Sequence, residues 1–200
     1  CTDKSLHGLC CVEKGRVNIL SLDAAFPVLH GKNGEDGTIQ GLFQLSGIPF
    51  VGCDTRSSAM CMDKAVTNTI LAAARIEQAH YLWFYTENYK TGADKIKTKI
   101  NARLGYPVFV KPANAGSSVG ITKVSCENEL DAAVEKAARE DGKIVVEEAI
   151  VGQEVECAVL GNENPEASTV GEIASGAEFY DYDDKYKNGV SKLFIPARLE

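Results

Sequence analysis

The chain has 200 residues, 44% hydrophobic and 24% charged, with a formal net charge of −7. That is enough for one large domain or two smaller ones around a buried core, and no apolar run is long enough to span a membrane. The acidic balance offers no basic face to displace counterions from nucleic acid, so any phosphate the protein handles must meet a few locally placed lysines.

Residues 16–30, RVNILSLDAAFPVLH, read as a strand and loop ending in the apolar run 26–29. The glycine-rich HGKNGEDG of 30–37 follows. A helix is then expected over 38–46, with Ile39, Leu42 and Phe43 on one face and Gly47 as its stop. IPFVG, 48–52, reads as a short buried strand. The order strand, loop, helix, strand predicts an α/β layer with parallel pairing whose first strand is missing. A second helix is expected from Asp63 to about residue 74, with Val66, Ile70 and Leu71 inward, and a third over about 96–104 after an irregular stretch.

The pattern then turns to strands: PVFVK (107–111), ITKV (121–124), KIVVEE (143–148) and EVECAVLG (154–161). One amphipathic helix interrupts them over about 127–140, with Leu130, Val134 and Ala137 on a common face and Ser125 as its N-cap. This second layer reads as α+β. Residues 171–197 read as a strand, a polar tyrosine-rich loop and a strand. Neither end of the sequence closes an element, so the chain reads as a piece of a longer protein. Seven irregularly spaced cysteines predict reduced thiols rather than a disulfide framework. His7, Cys10 and Cys11 lack a second ligand pair at zinc spacing, so the two cysteines read as a small apolar patch.

Four stretches carry chemistry. In KPANAGSSVG, 111–120, Gly116 and Gly120 free the backbone to turn N–H groups toward an oxyanion, and Ser117 and Ser118 add hydroxyl donors. Lys111 ends the preceding strand as a point charge beside that loop. The loop lies between strands and lacks the GxxxxGK[ST] pattern; taken alone, it reads equally as a flexible hairpin. VVEEAIVGQE, 145–154, places Glu147, Glu148 and Glu154 around a glycine turn. Carboxylates near a phosphate site make sense for a nucleotide, whose ribose hydroxyls and base amino group need acceptors. His30 opens a glycine-rich strand-to-helix turn, with the following helix directing its N-terminus at the same space. EFYDYDDKYKNG, 178–189, reads either as a solvated loop or as a lid that closes Lys185 and Tyr186 over a site.

Together HGxxGEDGxxQG, MDK, VKPxxxGSSVG, EEAxxGxE and FYDYxxKY, in this order and spacing, closely resemble the D-alanine–D-alanine ligases of the ATP-grasp fold. The similarity runs from Phe26 to Arg198. The resemblance implies a mixed α/β and α+β chain: a partial Rossmann-like N-terminal domain over 1–52, a central domain over 53–147, and the start of a truncated C-terminal catalytic domain over 148–200. It implies that Lys64 and Lys111 hold ATP phosphates with Gly116 and Ser118. Ser117 would help hold the first D-alanine and link it to the lid, and His30 would stand near the substrate amino acids. Glu147, Glu148 and Glu154 would contact adenine and ribose, and Lys185 and Tyr186 would close the site.

The implied cofactors are ATP and Mg2+ (or Mn2+), with the metal-binding acids expected beyond residue 200 and none within the chain. The implied activity is ATP-driven joining of two D-alanines for peptidoglycan precursors, in the cytoplasm, by a homodimer with small-molecule partners and neither nucleic acid nor membrane. A D-alanine–D-serine ligase and a nucleotide-binding module without catalysis are the alternatives. The 200 residues alone are expected to be inactive. One departure stands out: ARIEQAHYLWF replaces the glycine and prolines the family usually has after the helix at Asp63.

Overall fold

Strand β1 (Gly8–Glu13) and strand β2 (Arg16–Ser21) form an antiparallel hairpin, with Gly8 opposite Ser21 and Glu13 opposite Arg16. The chain is seen here in a computed structural model that describes residues 5–174 and 192–199 and divides into two units, Cys1–Ala149 and Ile150–Glu200. The strand expected at the start of 16–30 is present, but its partner is the segment just before it. Lys14 and Gly15 take φ of 48° and 77°, the pair of positive values a two-residue hairpin turn requires. Cys10 and Cys11 lie exposed on this hairpin, so they do not form a packed apolar patch.

The expected parallel pairing is reduced to one bridge between Ala25 and Phe50. Helix α1 (Thr38–Ser46) stops at Gly47, whose φ of 69° makes a left-handed C-cap. Helix α2 (Thr55–Met62) was not expected, because TRSSAMCM has little apolar periodicity; its cap is Asp54, which accepts from Ser57 N at 2.7 Å. Helix α3 (Lys64–Ala73) follows at once, capped by Asp63.

The stretch read as irregular contains strand β3 (Tyr81–Tyr85) and the first part of helix α4 (Thr86–Arg103), which kinks at Gly92. Strands β4 (Val108–Pro112), β5 (Thr122–Val124) and β6 (Lys143–Glu148) complete a four-stranded antiparallel sheet in the order β3-β6-β4-β5. Between β5 and β6 lies helix α5 (Leu130–Ala138), entered through one 3-10 turn. Ser125 is not its N-cap. Instead Glu129 reaches back to accept from Ser125 N at 2.7 Å.

Side chains alternate across each strand, so the sheet has two unlike faces. One face presents Val108, Val110, Val124, Ile144 and Val146 to α4 and α5, where Ile100, Leu130 and Ala137 close a fully buried core. On the other face Val145 packs with Ala65 and Ala113, with Tyr81 beside them, under α3. The rest of that face carries Lys111, Lys143 and Glu147 beside the rings of Phe109, Trp83 and Tyr85, and it positions the site.

In the second unit, strand β7 (Val155–Glu156), strand β10 (Gly171–Ala174) and strand β11 (Lys192–Phe194) form a sheet in the order β11-β10-β7. Strands β8 (Val159–Leu160) and β9 (Glu166–Ala167) pair separately. The single strand expected over 154–161 is therefore split between two sheets. Glu172, 5% exposed, is held by Arg198, whose Nε donates to Oε2 at 2.8 Å and Nη2 to Oε1 at 2.5 Å. That hydrogen-bonded guanidinium brings the Glu172 carboxyl down to about 2 from an ordinary 4.5. A depressed carboxyl contributes stability above its unfolded value and loses it as pH falls through the folded one. Wild-type protein should therefore lose more thermal stability than Glu172→Gln between pH 5 and pH 2; parallel melting curves from the two would refute this.

Candidate functional site

Lys111 and Glu147 stand on adjacent strands, β4 and β6, on the face opposite the helical core. Their side chains pair directly, at 21% and 14% exposure respectively. Glu147 Oε1 also accepts from Asn68 Nδ2 of α3 at 3.4 Å. The strand period decides this arrangement: with Val145 and Glu147 on one face, Ile144, Val146 and Glu148 fall on the other. Glu148 Oε1 accordingly accepts from His80 N at 2.7 Å, and Glu148 N donates to His80 O at 3.0 Å. Glu147 and Glu148, adjacent in sequence, are not brought together.

Lys64 begins α3 and reaches the loop after β4. Its Nζ donates to Ala115 O at 2.7 Å and Ala113 O at 3.4 Å, while its amide donates to Ala113 O at 3.0 Å. An ammonium has three donors, so two carbonyl contacts fix its place without exhausting it. Burial lowers the Lys64 pKa, and the positive charge of Lys111 lowers it further; Glu147, Asp141 and Asp63 act the other way. Three cations, Lys64, Lys111 and Lys143, and three carboxylates thus share this corner.

Ser117 and Ser118 have φ of 52° and 60°, followed by Gly120 at 73°. Successive left-handed residues are uncommon outside glycine. Here they turn the chain tightly, with Val119 N donating to Gly116 O at 3.1 Å and Ile121 N to Ser118 O at 3.3 Å. A Cβ on Gly116 would lie 3.0 Å from Gly31 Cα and 3.3 Å from Glu35 Oε2. The serine turn therefore abuts the loop that follows His30, and a side chain at position 116 would crowd that approach.

In that loop Glu35 Oε2 accepts from Gly31 N at 2.5 Å. Asp36 Oδ2 accepts from Asn33 N at 2.8 Å. The first amides of α1 are already engaged, Thr38 N with Asp36 Oδ1 at 3.0 Å and Ile39 N with Asn33 O at 3.2 Å. The helix end is thus less open to an anion than the sequence suggests. His30 is exposed and lines a cleft of about 510 Å³ with Leu29, Asn33, Thr38, Ile39 and Leu42.

The first unit thus brings together Lys64, Lys111, Gly116, Ser117, Ser118 and Glu147, with the His30 loop against the serine turn. Glu154 belongs to the second unit, where its carbonyl accepts from Ile173 N at 2.9 Å. Lys185 and Tyr186 lie outside the described residues. Sequence reasoning missed Asn68 and Lys143. Asn68 lies four positions after Lys64, so it shares the Lys64 side of α3. Among the described residues no group of three or more His, Cys, Asp and Glu side chains could hold a metal ion, and no helix is long and apolar enough to cross a membrane.

Comparison with known proteins places this geometry. A family model described as the D-ala D-ala ligase N-terminus matches residues 6–53, and one described as the D-ala D-ala ligase C-terminus matches 70–200. A D-alanine–D-alanine ligase of Acetivibrio thermocellus is 54% identical over 195 residues, 96% of this chain and 52% of that protein. One from Clostridium acetobutylicum is 52% identical over 178 residues, 89% of this chain and 52% of that protein. The chain spans about half the length of the curated relatives it matches. Among solved structures, the VanG D-Ala:D-Ser ligase from Enterococcus faecalis matches all of this chain and 56% of its own at 44% identity and a TM-score of 0.82. The D-alanine–D-alanine ligase from Coxiella burnetii matches 82% of this chain and 50% of its own at 37% identity and a TM-score of 0.72. With a family model covering well over half of its residues, the chain belongs to the D-alanine–D-alanine ligase family of ATP-grasp proteins.

Proposed function

We propose that this chain supplies the nucleotide-phosphate corner of an enzyme that joins two D-alanines at the expense of ATP. The observation that carries the reading is the placement of two lysines, Lys64 on the Ala115 carbonyl and Lys111 on Glu147 at the end of β4, beside the left-handed serine turn between β4 and β5. In the reaction, one D-alanine carboxylate attacks the γ-phosphorus, giving an acyl phosphate and ADP. The amine of the second D-alanine then attacks the acyl carbon and phosphate leaves. The two ammoniums spread the charge of the transferring phosphoryl group, and the main-chain donors of the turn act on it without reorganising.

The remaining roles follow the family pattern except at Glu148, which the pattern sets against the nucleoside. Ser117 and His30 hold the first D-alanine, which suits the close approach of their two loops. Ser118 and Gly116 cradle phosphate, and Glu147 and Glu154 accept from the nucleoside. Glu148 acts by bracing the strand end through His80. Lys185 and Tyr186 close the site and keep water from the acyl phosphate. Mg2+ accompanies ATP, and the described residues hold no cluster fitted to it. The three-part domain division over 1–52, 53–147 and 148–200, a cytoplasmic location and a homodimer belong to this proposal.

A second reading, D-alanine–D-serine ligation, is favoured by the likeness to the Enterococcus faecalis VanG D-Ala:D-Ser ligase over the whole chain. One competition assay separates them. The whole protein with MgATP and equal D-alanine and D-serine is expected to make D-alanyl-D-alanine, with ADP in step. Predominant D-alanyl-D-serine selects the second reading, and neither dipeptide with no ADP formed rejects both.

A further inference from the structure

Lys64 is held by a closed ring of contacts that spans three segments of the first unit. Asp63 Oδ1 caps α3, accepting from Ala65 N at 3.0 Å and Val66 N at 3.2 Å. Its other oxygen, Oδ2, accepts from Lys143 Nζ at 2.5 Å, across 80 positions of sequence. Lys143 O in turn accepts from Ala113 N at 2.8 Å, and Ala113 O accepts from the amide of Lys64 at 3.0 Å. The ring therefore runs from the Asp63 side chain to Lys143, to Ala113, and back to the residue beside Asp63.

Asp63 and Lys143 are each 19% exposed in their side chains. Lys143 Nζ also lies 5.5 Å from the centre of the Trp83 ring and 6.0 Å from that of Tyr85. Aromatic faces and partial burial strengthen such a pair and limit where the ammonium can sit. A helix cap alone needs only one carboxylate oxygen. The second oxygen does something a cap does not require: it ties the start of α3 to β6, the strand that carries Glu147.

We infer that the Asp63–Lys143 ion pair is a positioning device that sets the Lys64 ammonium against the Ala113–Ala115 carbonyls and the serine turn. The inference rests on the reading of Lys64 as a phosphate ligand. Neither Asp63 nor Lys143 needs to touch the nucleotide. They act by fixing the first residue of α3 relative to the loop it serves, where an error of about 1 Å is costly.

The test uses Asp63→Asn, which keeps a good N-cap and removes the charge, and Lys143→Met, which keeps the stem and removes the ammonium. In the whole protein each is expected to raise KM for ATP and the Kd of a non-hydrolysable ATP analogue by about tenfold or more, the scale seen when residues behind a ligand are lost. KM for D-alanine should stay within about twofold, since the distortion is local to Lys64. The double variant should be no worse than the weaker single, and Lys143→Arg should restore most of the affinity.

A structural role alone would lower Tm and leave the ATP constants unchanged at 25 °C in the folded variants, which would overturn the inference. Lys64→Ala serves as the reference. If it weakens ATP binding while the folded pair variants do not, positioning fails and the phosphate reading stands. If Lys64→Ala also leaves ATP binding unchanged, both fail together. Lys143→Arg and Asp63→Asn are mild enough to keep the comparison open should Lys143→Met not fold.

Discussion

Lys111→Met in the whole protein is expected to lower kcat/KM for ATP by roughly 10²–10³-fold, the loss typical of removing one preorganised donor from a developing oxyanion. Two effects act in the same direction. The phosphoryl group loses a charge-assisted donor. Glu147, 14% exposed, loses the lysine it pairs with and keeps only the Asn68 amide at 3.4 Å, so its negative charge is poorly balanced beside the bound nucleotide. The second effect gives the prediction its signature: Glu147→Gln added to Lys111→Met should recover part of the loss, because it removes the stranded charge. A loss that came only from unfolding would not be recovered this way. Steady-state kinetics on the two variants decide it, and a kcat/KM within about threefold of wild type for Lys111→Met would remove Lys111 from the phosphate site.

Ile100→Ala is expected to destabilise the protein by about 3 kcal/mol, which for a chain of this size corresponds to a fall in Tm of roughly 6–12 °C. Ile100 lies in the second half of α4, is 0% exposed, and packs in the core with Leu130, Val108 and Val146. Truncation removes three buried carbons and leaves a cavity that strands on one side and a helix on the other cannot readily close. Ile100→Val should cost only about 1 kcal/mol, since it removes one methyl. Calorimetry or thermal melts of the pair check the ratio. Equal losses for the two variants would mean that the site collapses freely and that this core is not tightly packed.

Much of the first unit was legible in the sequence because its strands are short apolar runs with clear ends. Val108, Val110, Ile144 and Val146 announce their strands by composition alone, and Gly47 marks the end of α1 by its need for a left-handed φ. The place of Lys111 was legible as well: it stands at the end of β4 just before the glycine–serine turn. What escaped notice shares one cause: it depends on partners distant in sequence. HYLWFYT gives no period by itself, and becomes β3 only because β6 offers an edge, Tyr81 facing Glu147 and Tyr85 facing Lys143. Asp63 was read as the start of a helix, which it is, but its tie to Lys143 across the sheet has no local trace. The parallel pairing expected near the N-terminus shrinks to the single Ala25–Phe50 bridge because Lys14 and Gly15 make a hairpin turn that satisfies β2 from the nearer side.

The strand order β3-β6-β4-β5 has a consequence for how the protein is made. β4 and β5 are neighbours in both sequence and sheet, so they can pair as soon as the ribosome releases them. β3 cannot: its partner is β6, and more than fifty residues separate Tyr85 from Lys143. Until residue 148 has emerged, β3 and one side of β4 are bare edges, able to accept a strand from another nascent chain. The last strand of the unit to be synthesised is therefore the one that sits in its middle. It delivers Glu147 and Lys143 together, so the charges that partner Lys111 and Asp63 arrive in a single late event. Before that event the nascent chain has Lys64 and Lys111 but only the β4–β5 hairpin, and neither Glu147 nor Lys143 to hold the two lysines in register.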